Sequence, residues 1–223
     1  MSRRHELTRV TVFISFFCSW GLTFAQDLDA TTAQEHSALA PLAASDEITY
    51  FISEGSADSK YRAADRELAE WALEAWERSA KGALRFSPGP ESSALLRVYW
   101  VPANFGLYGE MRPILVDGER GAAVYIRPDT EALGEQIAKR SREDSLFRDA
   151  VVYLTCLHEL GHALGLEHTA EFADIMYFFG FGGDIPGFFG RYRDELHIRD
   201  NIADVAGLSE GDLEQLQTLY GIR

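Results

Sequence analysis

Residues 158 to 168 read HELGHALGLEH, and this run constrains the fold more tightly than any other stretch of the chain. His158 and His162 are four apart, so on a helix they stand one above the other, about 40° apart around the axis and roughly 6 Å along it. Both imidazoles then reach one point in space. Gly165 follows three residues later, where a glycine can take the left-handed conformation that ends a helix and turns the chain back. His168 is thereby returned toward the same point. A domain built around this run needs a helix that stops at Gly165 and a reversal directly after it.

Three converging imidazoles bind one Zn²⁺ ion and leave its fourth tetrahedral position open for water, the mark of a catalytic rather than a closed structural site. Glu159, next to the first histidine, is placed to take a proton from that water. Two plainer readings compete. An amphipathic helix could carry these polar residues on its wet face, but that does not account for the spacing of Gly165 and His168. A structural zinc site would need a fourth ligand, which the neighbouring sequence does not offer. Ahead of His158, the nearly continuous apolar run Val151, Val152, Leu154, Cys156 and Leu157 implies that the helix lies buried at the centre of the domain. Cys156 falls about 160° around the axis from His158 and reads as a small buried apolar residue.

The extended pattern HExxHxxGxxH, with Met176 eight residues after His168 inside DIMY, resembles the metzincin clan of zinc peptidases, and within it the matrixin (matrix-metalloprotease-like) family. The segment LSEGDLEQLQTLYG, residues 208 to 221, is similar to the matrixin C-terminal helix. The resemblance spans residues 47 to 223 and is strongest from 151 to 177. It implies an α+β, zincin-like catalytic domain with a twisted mixed sheet, a buried central zinc-binding helix and a C-terminal helix. It further implies one catalytic Zn²⁺ on His158, His162 and His168, with Glu159 as general base. Met176 would form an apolar floor beneath the histidines and Tyr177 would shape the pocket. Phe178 occupies the position where some other metzincin families carry a tyrosine that approaches the metal. The segment FFGFGGDIPGFFG (178 to 190) would wall the pocket for the residue just beyond the cut bond, which suggests a preference for an apolar side chain there.

Several features depart from the family pattern. No histidine occurs between His36 and His158, so the second, structural zinc of many matrixins is not expected. No cysteine lies between Ala25 and Cys156, so a cysteine-bearing pro-segment cannot block the metal. The stretch 177 to 208 is longer than in a compact matrixin and lacks the proline that commonly follows Met-Tyr. Asp117, Glu119 and Asp129 offer positions for Ca²⁺, although acidic loop residues are usually just solvated.

The first 25 residues have a basic start (Arg3, Arg4, Arg9), an apolar stretch from Val10 to Phe24 and Ala25 before Gln26, the layout of a secretory signal peptide. An uncleaved anchor is the competing reading, but about fifteen residues is short for a span. Cys18 follows Phe17 rather than a small residue, which disfavours lipid attachment. Residues 26 to 46 read as a flexible lead-in or short pro-segment, and 47 to 223 suffice for one domain with a sizeable core. The whole chain carries a net charge of −14, and losing the basic leader makes the remainder more acidic still. Such a surface disfavours nucleic acid and anionic membranes. With Cys18 removed, Cys156 is the only cysteine, so no intrachain disulfide can form.

Elsewhere, Tyr61, Ala64, Leu68, Trp71 and Ala75 recur at helical spacing and predict a helix over 58–81 with a stop at Gly82. Segments 83–86, 94–101 and 122–127 read as strands, and the glycines and prolines between them as loops. Ser209 and Asp212 form a capping-box-like pair at the start of a last helix whose apolar face is Leu213, Leu216 and Leu219. His197 lies in a charged stretch and reads as a surface residue. The expectation is a secreted, periplasmic or extracellular monomer that hydrolyses protein or peptide substrates and engages no nucleic acid, nor a membrane after leader removal. Two alternatives share the scaffold: a zinc-binding domain with little turnover, against which an intact Glu159 argues, and a zinc hydrolase of a non-protein amide.

Overall fold

Leu96, Val98 and Trp100 alternate with Arg97 and Tyr99, which gives a strand one buried and one outward face. In the computed structural model, which describes residues 41–42, 47–105 and 108–222, this strand lies inside a five-stranded sheet. The strands are β1 (Ile48–Ile52), β2 (Phe86–Pro88), β3 (Leu96–Trp100), β4 (Gly109–Val116) and β5 (Glu119–Ile126). Their order is β2-β1-β3-β5-β4. All neighbours are parallel except β4, which runs antiparallel along β5 and forms one edge. The sheet is therefore mixed and the architecture α+β, as the resemblance implies.

The helices are α1 (Asp65–Ser79), α2 (Glu135–Glu143), α3 (Ser145–Leu164), α4 (Ile185–Asp194), α5 (Asn201–Asp204) and α6 (Glu210–Tyr220). α1 and α3 pack against one another, and α3 also packs against β4 and β5. Leu68, Ala72 and Trp76 of α1, Val151, Leu154 and Leu157 of α3, and Val98 and Val124 of the sheet share one buried core. Trp76 donates its indole N–H to the Leu157 carbonyl at 3.0 Å, and the buried Arg148 of α3 pairs with the buried Asp65 of α1. The outward face of the sheet is covered differently. Tyr99 and Tyr125 stack at 5.5 Å, Phe105 stacks on Tyr125 at 5.3 Å, and the Arg112 guanidinium sits 5.0 Å from the Tyr125 ring.

Several elements differ from the sequence reading. The helix expected over 58–81 begins only at Asp65, because Lys60 takes a left-handed φ of 60° after a short 3₁₀ turn and the Asp65 carboxylate accepts the Arg62 N–H at 2.9 Å. Trp71 is half-buried, packed against the edge of the core with the Arg199 guanidinium over its ring, and Ala64 is exposed. β2 occupies Phe86–Pro88 rather than 83–86. β4 lies where glycine and proline suggest a loop, since Pro113 is tolerated on an edge strand. The stretch 177 to 208 contains α4 and α5. Asp184 starts α4 by accepting the Gly187 N–H at 3.0 Å, with a proline in the first turn.

The expected leader over 1–25 lies outside the described residues, as does most of 26–46. Leu42, at the end of that stretch, is buried in the core. Among the described residues, no helix is long and apolar enough to cross a membrane.

Candidate metal centre

α3 brings two of the three histidines into place. Its start is fixed by Asp144, whose carboxylate accepts the Leu146 and Phe147 N–H groups at 3.0 and 3.1 Å and also receives Arg193 at 2.7 Å. Burial raises the Asp144 pKa, but the Arg193 guanidinium and the two amides outweigh it and hold the carboxyl below its ordinary range. Its end is Gly165, at φ 106°. There the Leu166 N–H donates to the Gly161 carbonyl at 2.9 Å and the Gly165 N–H to the His162 carbonyl at 3.0 Å, the paired bonds of a Schellman motif. The chain then reverses. Thr169 pairs with Tyr177 in a single bridge, and the Thr169 N–H donates to the Met176 carbonyl at 2.8 Å.

The reversal carries His168 to the other two histidines. One ligating nitrogen from each of His158, His162 and His168 lies within 4.8 Å of the others, and the Nε2 atoms of His162 and His168 are 3.0 Å apart. His158 directs Nδ1 to the Ile175 carbonyl at 2.6 Å, and His162 directs Nδ1 to the Leu166 carbonyl at 2.9 Å. A carbonyl oxygen only accepts, so each Nδ1 carries the hydrogen and each Nε2 presents a lone pair inward. Burial lowers the His158 pKa to about 3 and that of His162 to about 4, with neighbouring imidazoles adding to the effect, and burial lowers His168 as well. Three neutral imidazoles with converging nitrogens form a donor set that fits Zn²⁺.

Glu159 faces the edge strand. Its carboxyl is hydrogen-bonded by the Met111 backbone, and Gly109 makes room for it: a Cβ on Gly109 would stand 2.5 Å from Glu159 Cγ. Burial first, then the nearby Glu110, push the Glu159 pKa up to about 8, against the pull of the Met111 amide. A cation seated on the histidines would act in the opposite sense and favour the carboxylate.

Met176 is fully buried, and a Cβ on Gly161 would lie 2.5 Å from its sulfur, so the bare backbone of α3 at Gly161 lets the Met176 side chain pack closely against the helix. The turn that carries it hangs from α6. The buried Asp212 carboxylate accepts the Ile175, Met176 and Ser209 N–H groups at 2.9, 3.2 and 2.8 Å, and the reciprocal capping box with Ser209 is complete. Asp212 thus steadies the Ile175 peptide whose carbonyl orients His158. The sequence identifies Asp212 only as a cap. Its second role depends on a partner 37 residues away, which no local pattern signals.

A cleft of about 500 Å³ opens beside Glu159 and the histidines. Leu154, Thr155, Phe179, Phe188, Phe189 and Tyr108 line it, with Gly109, Glu110 and Met111 of β4 along one side. Of the expected aromatics, Phe178, Phe179, Phe188 and Phe189 line the cleft, and Phe181 stands outside, 65% exposed. Tyr177 is buried on the cleft wall and donates its hydroxyl to the Gly182 carbonyl at 3.0 Å. A larger hollow of about 930 Å³, between α1 and the β1–β2 side, contains Glu70, Glu74 and Glu77 but no histidine. Its carboxylates are engaged with Arg66, Arg78 and the Phe86 N–H. Asp117 sits at a left-handed φ of 52° in the β4–β5 turn, and Asp129 caps a short 3₁₀ turn by accepting the Glu131 N–H at 3.1 Å. His197 is exposed, and Cys156 is a buried free thiol whose pKa burial pushes up.

Among known proteins, the model of the Matrixin family matches residues 43–181. A comparison with curated proteins finds no match. The matched stretch runs from the first strand through α3, the reversal and the methionine turn, more than half of the chain, and on that ground the chain belongs to the matrixins, a family of zinc metallopeptidases.

Proposed function

We propose that this chain is a secreted, monomeric zinc endopeptidase in which His158, His162 and His168 hold one Zn²⁺ and Glu159 is the general base. The observation that carries the reading is the position of the Glu159 carboxyl, between the inward-facing imidazoles and the edge strand β4. When bound, Zn²⁺ supplies a Lewis acid that polarises the scissile carbonyl and lowers the pKa of a water. Glu159 accepts one proton from the attacking water as its oxygen bonds to the carbonyl carbon. It then passes that proton to the amine nitrogen as the C–N bond breaks. The Met111 amide and the bare backbone of Gly109 keep the carboxyl aimed during both transfers.

The substrate backbone adds along the outer edge of β4 where it borders the cleft, the way an extended peptide joins a sheet edge, while the Met111 amide stays with the Glu159 carboxyl. An apolar side chain next to the cut enters the cleft lined by Leu154, Phe188 and Phe189. The basic and apolar leader, residues 1 to 25, directs export, and its removal leaves the acidic catalytic domain.

The test is incubation of an unfolded protein with the matured chain, a zinc-chelated sample and a Glu159→Ala sample, read by mass spectrometry. Fragments are expected only from the metal-loaded wild type, with apolar residues after the cut, while Glu159→Ala still holds about one zinc per chain. Fragments from Glu159→Ala would remove Glu159 from the mechanism. A zinc-loaded, folded wild type that cuts nothing would favour a binding role.

A further inference from the structure

The three histidines are not held alike. His158 and His162 project from α3, and each directs Nδ1 to a backbone carbonyl that sets both ring orientation and tautomer. His168 lies beyond the end of α3 on the reversal and is the exposed member of the triad. Its ring is met instead by that of Phe178, with centroids 4.8 Å apart and planes tilted by 44°.

Phe178 is itself 41% exposed, so core burial does not keep it there. Three other features do. The Phe178 N–H donates to the Thr169 carbonyl at 3.0 Å, which joins the segment leaving His168 to the one bearing Phe178. Phe181 packs edge-on against the Phe178 ring at 5.3 Å. Gly180 leaves the space the ring occupies, since a Cβ there would fall 2.2 Å from Phe178 Cε1. An apolar ring is thus held at the surface, at some cost in hydration, with its neighbour the one imidazole that stands off the helix.

We infer that Phe178 is the positioning residue of His168: its ring holds the imidazole in the orientation that closes the metal site, as backbone carbonyls do for His158 and His162. The inference rests on the reading that the three histidines hold Zn²⁺. Without the ring, His168 swings on an exposed segment, and the ion is held firmly by two nitrogens only.

The test compares zinc-loaded wild type with Phe178→Ala, Phe178→Leu, Phe178→Trp and Ile198→Ala, the last an exposed apolar residue in another segment. Each is mixed with an excess of a coloured zinc chelator and the release rate is followed. Phe178→Ala is expected to release zinc about tenfold to a hundredfold faster, the range typical of lost ligand support. Phe178→Leu, which keeps bulk but no ring face, should resemble Phe178→Ala, whereas Phe178→Trp and Ile198→Ala should resemble wild type. In cobalt-substituted samples, the visible ligand-field band should change in Phe178→Ala and be kept in Phe178→Trp. Release from Phe178→Ala within about twofold of wild type overturns the inference, as does a wild-type rate in Phe178→Leu. Faster release that only tracks a lowered unfolding midpoint of the metal-free variant overturns it too. A wild type that takes up no zinc overturns the underlying reading instead.

Discussion

At the scale of single residues, the site depends on what is missing as much as on what is present. Gly109 has no side chain, and the Glu159 carboxyl fills that space. Gly109→Ala should therefore leave zinc binding intact and displace the carboxyl. Turnover is expected to fall roughly a hundredfold, the penalty for about 1 Å of misplacement. Steady-state kinetics beside a zinc titration would check this, and unchanged turnover would mean that Glu159 acts from another position. The residues proposed to perform the chemistry are legible in the sequence because all four lie in one run, where helical periodicity and a glycine stop supply the geometry. The residues that support them are not. Asp212 reaches Ile175 and Met176 across 37 and 36 residues, and Phe178 meets His168 only because Thr169 pairs with the segment after the methionine turn.

Among the elements, α3 carries the most information, with a cap at Asp144, a buried apolar run and a stop at Gly165. Asp144 also receives Arg193 from α4, which joins the start of α3 to the segment that walls the cleft. The lowered folded-state pKa of Asp144 means that its stabilisation is present above the unfolded carboxyl pKa of about 4 and is lost as pH falls through the lower folded value. Asp144→Asn should therefore flatten the acid side of a stability-against-pH curve. Near neutrality the cost should be about 1 kcal/mol or less, since asparagine still caps a helix and the carboxylate is partly exposed. Denaturant titrations from neutrality down to acid pH measure it, and parallel curves for variant and wild type would contradict it. Element boundaries were harder to read where local and tertiary preferences conflict. Pro113 masks β4, whose edge position spares it the missing donor. Asp65 starts α1 late, because its carboxylate serves the turn at Arg62 and the ion pair with Arg148.

Across the whole molecule, the buried Asp65–Arg148 pair joins the two central helices, and Arg148 also donates to the Pro128 carbonyl at 3.1 Å beyond β5. Arg199 extends the network from the connector after α4 to Asp149 and Glu67. Arg148→Met strands the Asp65 charge in the core and should cost about 3–5 kcal/mol, whereas adding Asp65→Leu should restore a good part of it. Chemical denaturation of the single and double variants decides the matter; a single variant within about 1 kcal/mol of wild type would show that the pair contributes little.

By itself, the sequence determined the family, the central helix and the convergence of the three histidines, because residues spaced along one helix and its stop require only local geometry. It also determined the acid charge balance and the single free cysteine of the domain. The tertiary structure decided the rest: which strand edge flanks Glu159, where α4 closes the cleft, and how α6 and Phe178 steady the histidines. Those features rest on contacts between segments dozens of residues apart, and their stability comes from shared burial and from backbone groups that find partners only in the folded chain.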